Sequence, residues 1–350
     1  MAMMLIRPIL ERDFAALREI ADESGVGFTS LPSNDAILRA KLEQSLNSFV
    51  QDNAEPDNER YMFVLEDTAT GTIAGTTAIA TGVGNHEAFY HYHRETVVHA
   101  SRELNVHNKM EVLTLCNHYT GSTEVCTLYL REPYRQGTNG RLLSKCRFLF
   151  MAEHPQRFNP RVIAEMRGVS DENGHSPFWE WLGEHFFKMD FPRADYLVGM
   201  GNKVFIAELM PKYPLYVNLL SPKAQAVISQ VHDKTLPALR LLEKEGFEHN
   251  GYIDIFDGGP TVEARLPDIH SVQHSQRRTV QIGEMNGRGQ PCLVCNTGLA
   301  GFRATLTELV LPTDGPLTLT AEVAAALQVN AGDPVRVIEL EGIYPQRRRL

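Results

Sequence analysis

Polar and apolar positions alternate over short stretches of this chain and fall at helical spacing over others. In residues 4–23 (MLIRPILERDFAALREIADE) a brief apolar strand gives way to a helix. Phe14, Leu17, Ile20 and Ala21 recur at i, i+3, i+6 and i+7, which is one helix face. Residues 61–80 (YMFVLEDTATGTIAGTTAIA) read as two strands joined by a turn at Thr70 and Gly71, hence a hairpin. Val125 to Leu130 is a strand, Arg161 to Met166 another, and Val204 to Leu209 a further apolar segment. Helices are predicted from about Ser221 to Val231 and from Leu236 to Glu245. Gly246 stops the second, since glycine readily takes the left-handed conformation past a helix end. From Tyr252 onward short strands dominate (YIDIF, RTVQIGE, PCLVCN, FRATLTELVL, VRVIEL), with one helix at Glu322 to Gln328. The pattern predicts an α+β fold, with a first domain over 1–259 and a mainly β extension over 260–350 packed on it.

The most informative stretch is 120–153 (TGSTEVCTLYLREPYRQGTNGRLLSKCRFLFMAE). A strand there enters a turn holding Arg135, Gly137 and Gly140, and a helix begins near Asn139. Backbone N–H groups at a helix N-terminus lack intrahelical acceptors, and the helix dipole adds partial positive charge. Glycine lets the backbone approach a phosphate closely. The arrangement points to a phosphate-bearing ligand. It lacks the Gly-Lys-Ser/Thr ending of a P-loop, which removes a kinase-like reading.

Composition narrows the class. With 43% hydrophobic and 22% charged residues this is an ordinary globular chain, and its net charge of −9 argues against nucleic acid as the main partner. No apolar run approaches the ~20 residues that span a bilayer. The opening MAMMLIRP has neither a basic n-region nor an apolar h-region, so a cytoplasmic location is the expectation. Five cysteines do not make a disulfide framework. Cys292 and Cys295 have C-x-x-C spacing without a second pair, and they read as buried thiols of a strand rather than metal ligands. His91 and His93 flank Tyr92 with no third ligand in view and read as surface histidines in a loop-like segment.

The order strand, helix, hairpin, strand–loop–helix and a late helix ending LRLLEKEGF resembles the GNAT acyl-CoA N-acyltransferase superfamily. The phosphate loop of that superfamily, Arg/Gln-x-x-Gly-x-Gly/Ala, corresponds to Arg135-Gln136-Gly137-Thr138-Asn139-Gly140, with Thr138 where the first glycine is expected. Longer strings cover nearly the whole chain: GFTSLPSN (27–34), VHASRELNVHN (98–108), TGSTEVCTLYL (120–130), AEMRGVSDENGHSPFWEWLG (164–183), FIAELMPKYPLY (205–216) and YIDIFDGGPT (252–261). These are similar to bacterial arginine N-succinyltransferase. The resemblance implies a GNAT-like fold and transfer of succinyl from succinyl-CoA to the α-amino group of L-arginine. That reaction opens a route of arginine catabolism and uses no metal or further cofactor. Because some bacteria carry two paralogous subunits and the related enzyme also takes ornithine, it implies an oligomer of identical or paralogous chains.

Site residues follow from the same resemblance. The CoA pyrophosphate would lie on N–H groups from Gln136 to Arg141 (Gln136, Gly137, Thr138, Asn139, Gly140, Arg141), with Arg135 adding charge. A backbone contact to the acyl-CoA matches Leu128, and His232 matches the proton donor. An imidazole with ordinary pKa near 6.5 suits proton transfer at neutrality. The chemistry of the acceptor adds others. A guanidinium pairs with carboxylates, for which Glu124, Glu165, Asp254 and Asp257 are candidates, and Arg167 could hold either the succinyl carboxylate or the α-carboxylate of the acceptor. Thr29 and Ser30 lie in the loop that closes over the acceptor in this superfamily. A non-catalytic subunit that needs a paralogous partner is the competing reading.

Overall fold

The computed structural model describes residues 3–341 except 26, 27, 29, 53, 54, 173, 200, 202, 203 and 286. Thr29 therefore lies outside the described residues. The elements in chain order are β1 (Met4–Pro8), α1 (Phe14–Ser24), α2 (Asp35–Val50), β2 (Arg60–Asp67), β3 (Thr72–Val83), β4 (His91–Ser101), β5 (Val106–Cys116) and β6 (Ser122–Leu130). Then come α3 (Asn139–Glu153), β7 (Arg161–Glu165), α4 (Pro177–Leu182), α5 (Phe191–Gly199), α6 (Val204–Leu209), β8 (Leu215–Tyr216), α7 (Pro222–Val227) and α8 (Leu236–Lys244). The chain ends in β9 (Glu248–Asp254), β10 (Pro260–Arg265), α9 (His270–His274), β11 (Gln276–Ile282), β12 (Gln290–Asn296), β13 (Ala304–Leu309), β14 (Leu317–Leu319), α10 (Ala321–Leu327) and β15 (Pro334–Glu339).

The strands share one sheet in the order β14-β11-β15-β12-β13-β1-β2-β3-β6-β7-β10-β9-β4-β5-β8. Helices α1 and α2 cover one face, where Leu17, Ile20, Leu38 and Leu42 pack on Met62 and Val64. Helix α3 covers the other. Every residue from Leu142 to Met151 is buried, so α3 has no solvent-facing side along that stretch. Phe148, Leu149 and Phe150 sit among Phe63, Phe302, Leu293 and Ile338, which brings the C-terminal strands into the same core. Helices α4 to α7 form a satellite core around Trp179 and Phe178.

The structure departs from the sequence pattern in three places. Residues 91–116 are a long antiparallel hairpin rather than a loop, paired from His91↔Cys116 to Ser101↔Val106. The helix expected to reach Val231 stops at Val227. Ser229 takes a left-handed φ of 61° and donates its N–H to the Gly258 carbonyl at 2.8 Å, and Val231 bridges Gly168. Tertiary pairing overrides helix propensity there. Finally, β10 pairs with β7 and β9 inside the main sheet. Cys292 and Cys295 lie buried and unpaired in β12. Among the described residues no helix is long and apolar enough to cross a membrane, and no group of three or more His, Cys, Asp or Glu could hold a metal ion.

Candidate active site

Strands β6 and β7 run parallel and pair only at Thr123↔Val162 and Glu124↔Ile163, after which they part. Beyond that point β6 also bulges. Cys126 pairs with Ala78 and Tyr129 with Thr76, so residues 127 and 128 face Thr77 alone, and Thr127 has a φ of 56°. The parting strands open a cleft of about 1900 Å³. Its walls include Val125 to Leu130 on β6 and Ala164 to Arg167 on and just after β7. Its floor is Leu143 and Arg147 of α3 with Ala238, Leu241 and Leu242 of α8.

At one end of the cleft stands the N-terminus of α3. Thr138 occupies the N-cap without a side-chain hydrogen bond, and the first turn holds no acid. The N–H groups of Gly137 to Arg141 find no acceptor among the described residues, whereas that of Gln136 is turned to the Tyr134 carbonyl at 2.8 Å. This is an open anion cradle. Gln136, Gly137, Gly140 and Arg141 line the cleft; Thr138 and Asn139 do not, and Asn139 Nδ2 bonds the Tyr134 carbonyl at 3.1 Å. The Arg135 guanidinium donates to the Leu130 carbonyl at 2.7 Å and lies over the Tyr129 ring, at the loop's edge. Arg141 pairs with Glu341. A Cβ at Gly140 meets nothing within 4 Å. Gly140→Val should therefore fold as the parent does while weakening CoA binding by about tenfold, because the branched side chain enters the cradle. Calorimetric titration with CoA checks this, and unchanged affinity would remove the loop from the site.

At the other end Glu124 meets Glu165, Lys41 of α2 and Arg60 of β2. Burial first, and Glu165 second, raise the Glu124 carboxyl from 4.5 to about 7 against the pull of Arg60 and Lys41. Lys41 Nζ donates to the Ser30 carbonyl at 2.7 Å, which ties α2 to the loop after α1. His91, expected at the surface, is fully buried between Phe89 and Tyr119. Its Nε2 lies 2.9 Å from Glu165 Oε1 without hydrogen-bond alignment, and burial holds its pKa down at about 4. His93 stacks on Tyr252 with 4.4 Å between centroids.

The two aspartates of the IDIFDGG string differ in use. Asp257 is buried, and its oxygens accept from the Gly168 N–H (2.7 Å) and the Gly259 N–H (2.8 Å). Burial and the neighbouring Asp254 push its pKa well up. It staples the turn to the strand end carrying Arg167. Asp254 Oδ1 accepts from the N–H of Phe256 and of Asp257, and both aspartates line the cleft. The staple leaves no room for side chains: a Cβ at Gly259 would lie 2.1 Å from the Met166 carbonyl oxygen and 2.5 Å from the Gly168 nitrogen.

His232 sits just before α8. Its N–H donates to the Arg167 carbonyl at 2.9 Å, and its Nδ1 accepts from the Lys234 N–H at 3.1 Å. The ring does not line the cleft, although Arg167, Lys234 and Thr235 do. Burial, then Arg167 and Lys234, depress its pKa, so the resting imidazole is neutral at neutral pH. Arg167 Nη2 donates to Ser170 Oγ at 3.0 Å. The structure thus brings Glu124, Glu165, Arg167, Asp254 and Asp257 to the cleft with the Leu128 strand and sets His232 behind Arg167. Sequence reasoning missed Lys41, Arg60, His91 and Arg147. Only Arg147 left a trace, as a charge amid the apolar run of LLSKCRFLFM.

A parallel strand pair that parts at a bulge, an uncapped helix N-terminus after the first of those strands, and a second helix flooring the gap make up the GNAT-like α+β fold of an acyltransferase. Residues 4–271 match the family model described as arginine N-succinyltransferase beta subunit, and residues 276–339 match that of its C-terminal domain. The chain belongs to the arginine N-succinyltransferase family. It is 49% identical over 339 residues to arginine N-succinyltransferase of Enterobacter sp. (strain 638), covering 97% of this chain and 98% of that one. It is also 49% identical over 345 residues to that of Escherichia coli (strain 55989 / EAEC), with the same coverage. Among solved structures, the arginine/ornithine succinyltransferase subunit AI from Pseudomonas aeruginosa superposes with a TM-score of 0.89 at 40% identity, covering 98% of this chain and all of that one.

Proposed function

We propose that this chain transfers succinyl from succinyl-CoA to the α-amino group of L-arginine in the cytoplasm, giving N2-succinyl-L-arginine and CoA in arginine catabolism. The observation that carries the reading is one cleft joining an anion cradle to a carboxyl that titrates near neutrality. Family membership supplies the donor and acceptor. The pyrophosphate lies on the N–H groups of Gly137 to Arg141, the pantetheine arm runs back along β6, and the thioester reaches the bulge beside Leu128.

Glu124 takes the proton from the α-ammonium group. A carboxyl near pKa 7 lies within about two units of the α-ammonium group of a free amino acid, so the transfer is only modestly uphill. The free amine attacks the thioester carbonyl, the C–N bond forms, the nitrogen gives its second surplus proton to water in the cleft, and the C–S bond breaks to release thiolate. Arg167 holds the acceptor α-carboxylate. That carboxylate offsets one of the cations depressing His232, so the imidazole takes up a proton in the ternary complex and, from behind Arg167, relays it through water to the thiolate. Asp254 faces the guanidinium. His232→Ala should lower kcat by about 10² with smaller changes in substrate binding. Near-parental kcat for both His232→Ala and His232→Gln would make His232 a structural residue.

The deciding experiment is release of free thiol by the purified chain alone from succinyl-CoA, with L-arginine and with L-ornithine as acceptors. Turnover with arginine is expected. Since the P. aeruginosa relative is described as a subunit, turnover that appears only when a paralogous chain is added would establish the subunit reading.

A further inference from the structure

We propose that Arg147 is the donor-selecting residue, receiving the terminal carboxylate of the succinyl group; this inference rests on the succinyl-transfer reading above. Arg147 lies midway along α3 with only 2% of its surface exposed, yet it forms part of the cleft floor. Its hydrogen bonds reach only neutral acceptors of its own helix. Nε donates to the Ser144 carbonyl at 3.0 Å, and Nη2 to Ser144 Oγ at 2.9 Å. Among the described residues no carboxylate lies within ion-pair distance of it. The buried acid whose field it feels, Glu245, is already engaged by Lys145 Nζ at 2.7 Å and by the N–H and hydroxyl of Ser271 at 2.7 and 2.9 Å. Two cations are thus buried side by side in α3, and only Lys145 has been given an acid.

A buried guanidinium without a counter-ion is costly, and a planar fork of donors is completed best by a carboxylate. Arg147 lies about 10 Å beyond the cradle at Gly140 along the helix axis, on the floor of the same cleft. Its charge reaches Cys126, the residue before the bulge where the thioester arrives. Several cleft cations are already engaged, Arg131 by Glu19 and Glu23, Arg135 by the Leu130 carbonyl and Arg141 by Glu341. Arg60 bonds Gln44 and Lys41 bonds the Ser30 carbonyl, both beside Glu124 and on the α2 side, and Arg167 stands with His232 at the acceptor end. A donor whose acyl chain ends in methyl would leave Arg147 unanswered, which is how a site built around a buried polar group rejects an analogue lacking the matching group.

The test compares succinyl-CoA with butyryl-CoA, in which methyl replaces the carboxylate. For Arg147→Met, kcat/KM with succinyl-CoA should fall by about 10³ while that with butyryl-CoA changes by less than about threefold, so the preference collapses. Arg147→Lys keeps the charge and should retain part of the preference; it serves alone if the Met variant does not fold. Free CoA affinity, read by calorimetry, should be unchanged in either. A parallel fall with both donors would assign Arg147 to the pantetheine arm or the core and overturn the proposal, as would an intact preference. Failure of the parent to use succinyl-CoA, both alone and with a paralogous chain added, would instead overturn the functional reading beneath it.

Discussion

Glu124→Gln should lower kcat by about 10³, because the amide keeps the size and hydrogen bonding of the side chain but cannot accept a proton from the ammonium group. In the parent, kcat/KM should rise with pH through a limb near 7, since the carboxyl must be ionised to act and its pKa is raised to about 7. The same substitution carries a second sign. A carboxyl whose folded pKa is raised costs the folded state nothing below its unfolded value of about 4.5. The cost grows as pH rises toward 7 and is complete above it. The variant should therefore melt at a higher temperature than the parent at pH 8, and the gap should shrink by pH 5. A variant that is slow but no more heat-stable at pH 8 would mean Glu124 is already ionised comfortably, and another group must then be the base.

Gly259→Ala should destabilise the fold by about 3 kcal/mol or more, because its methyl would sit against backbone that cannot swing aside. The added Cβ would lie 2.1 Å from the Met166 carbonyl oxygen, and the turn is held on both sides by Asp254 N–H donating to the Gly259 carbonyl and Gly259 N–H donating to Asp257. Thermal melting of the variant, with Gly140→Ala as a control whose Cβ meets nothing, measures the difference. A loss below about 1 kcal/mol would show that the turn can yield, and the rigid mounting of Arg167 would go with it.

The local half of the site was readable in advance because its chemistry is local. A strand, a glycine turn and a helix start are contiguous in 120–153, and the free N–H groups follow from helix geometry alone. The rest is made by contacts between distant segments. Glu124 becomes a base candidate only when β7 brings Glu165 alongside it and α2 brings Lys41. His91 is buried because Phe89 and Tyr119 close around it, which neighbouring residues in sequence do not reveal. The hairpin over 91–116 escaped notice for another reason. Its outer half is exposed on both faces, so the alternation that marks a half-buried strand is missing. Asp257 carried the right chemistry for a guanidinium, but its oxygens had been committed to backbone.

Helix α3 has one more consequence, for how the protein can be taken apart. Glu153 at its C-terminal end is gripped by Arg336 at 3.0 Å and Arg277 at 3.5 Å, and its apolar surface is shared with Leu293, Phe302 and Ile338. The segment after residue 275 thus completes the interior of the segment before it. A chain cut there would turn Phe63 and Phe150 toward water, so the two parts should melt in a single cooperative transition. The same shared wall ties that distant segment to the helix whose N-terminus forms the cradle, so removing the segment should disturb the cradle as well.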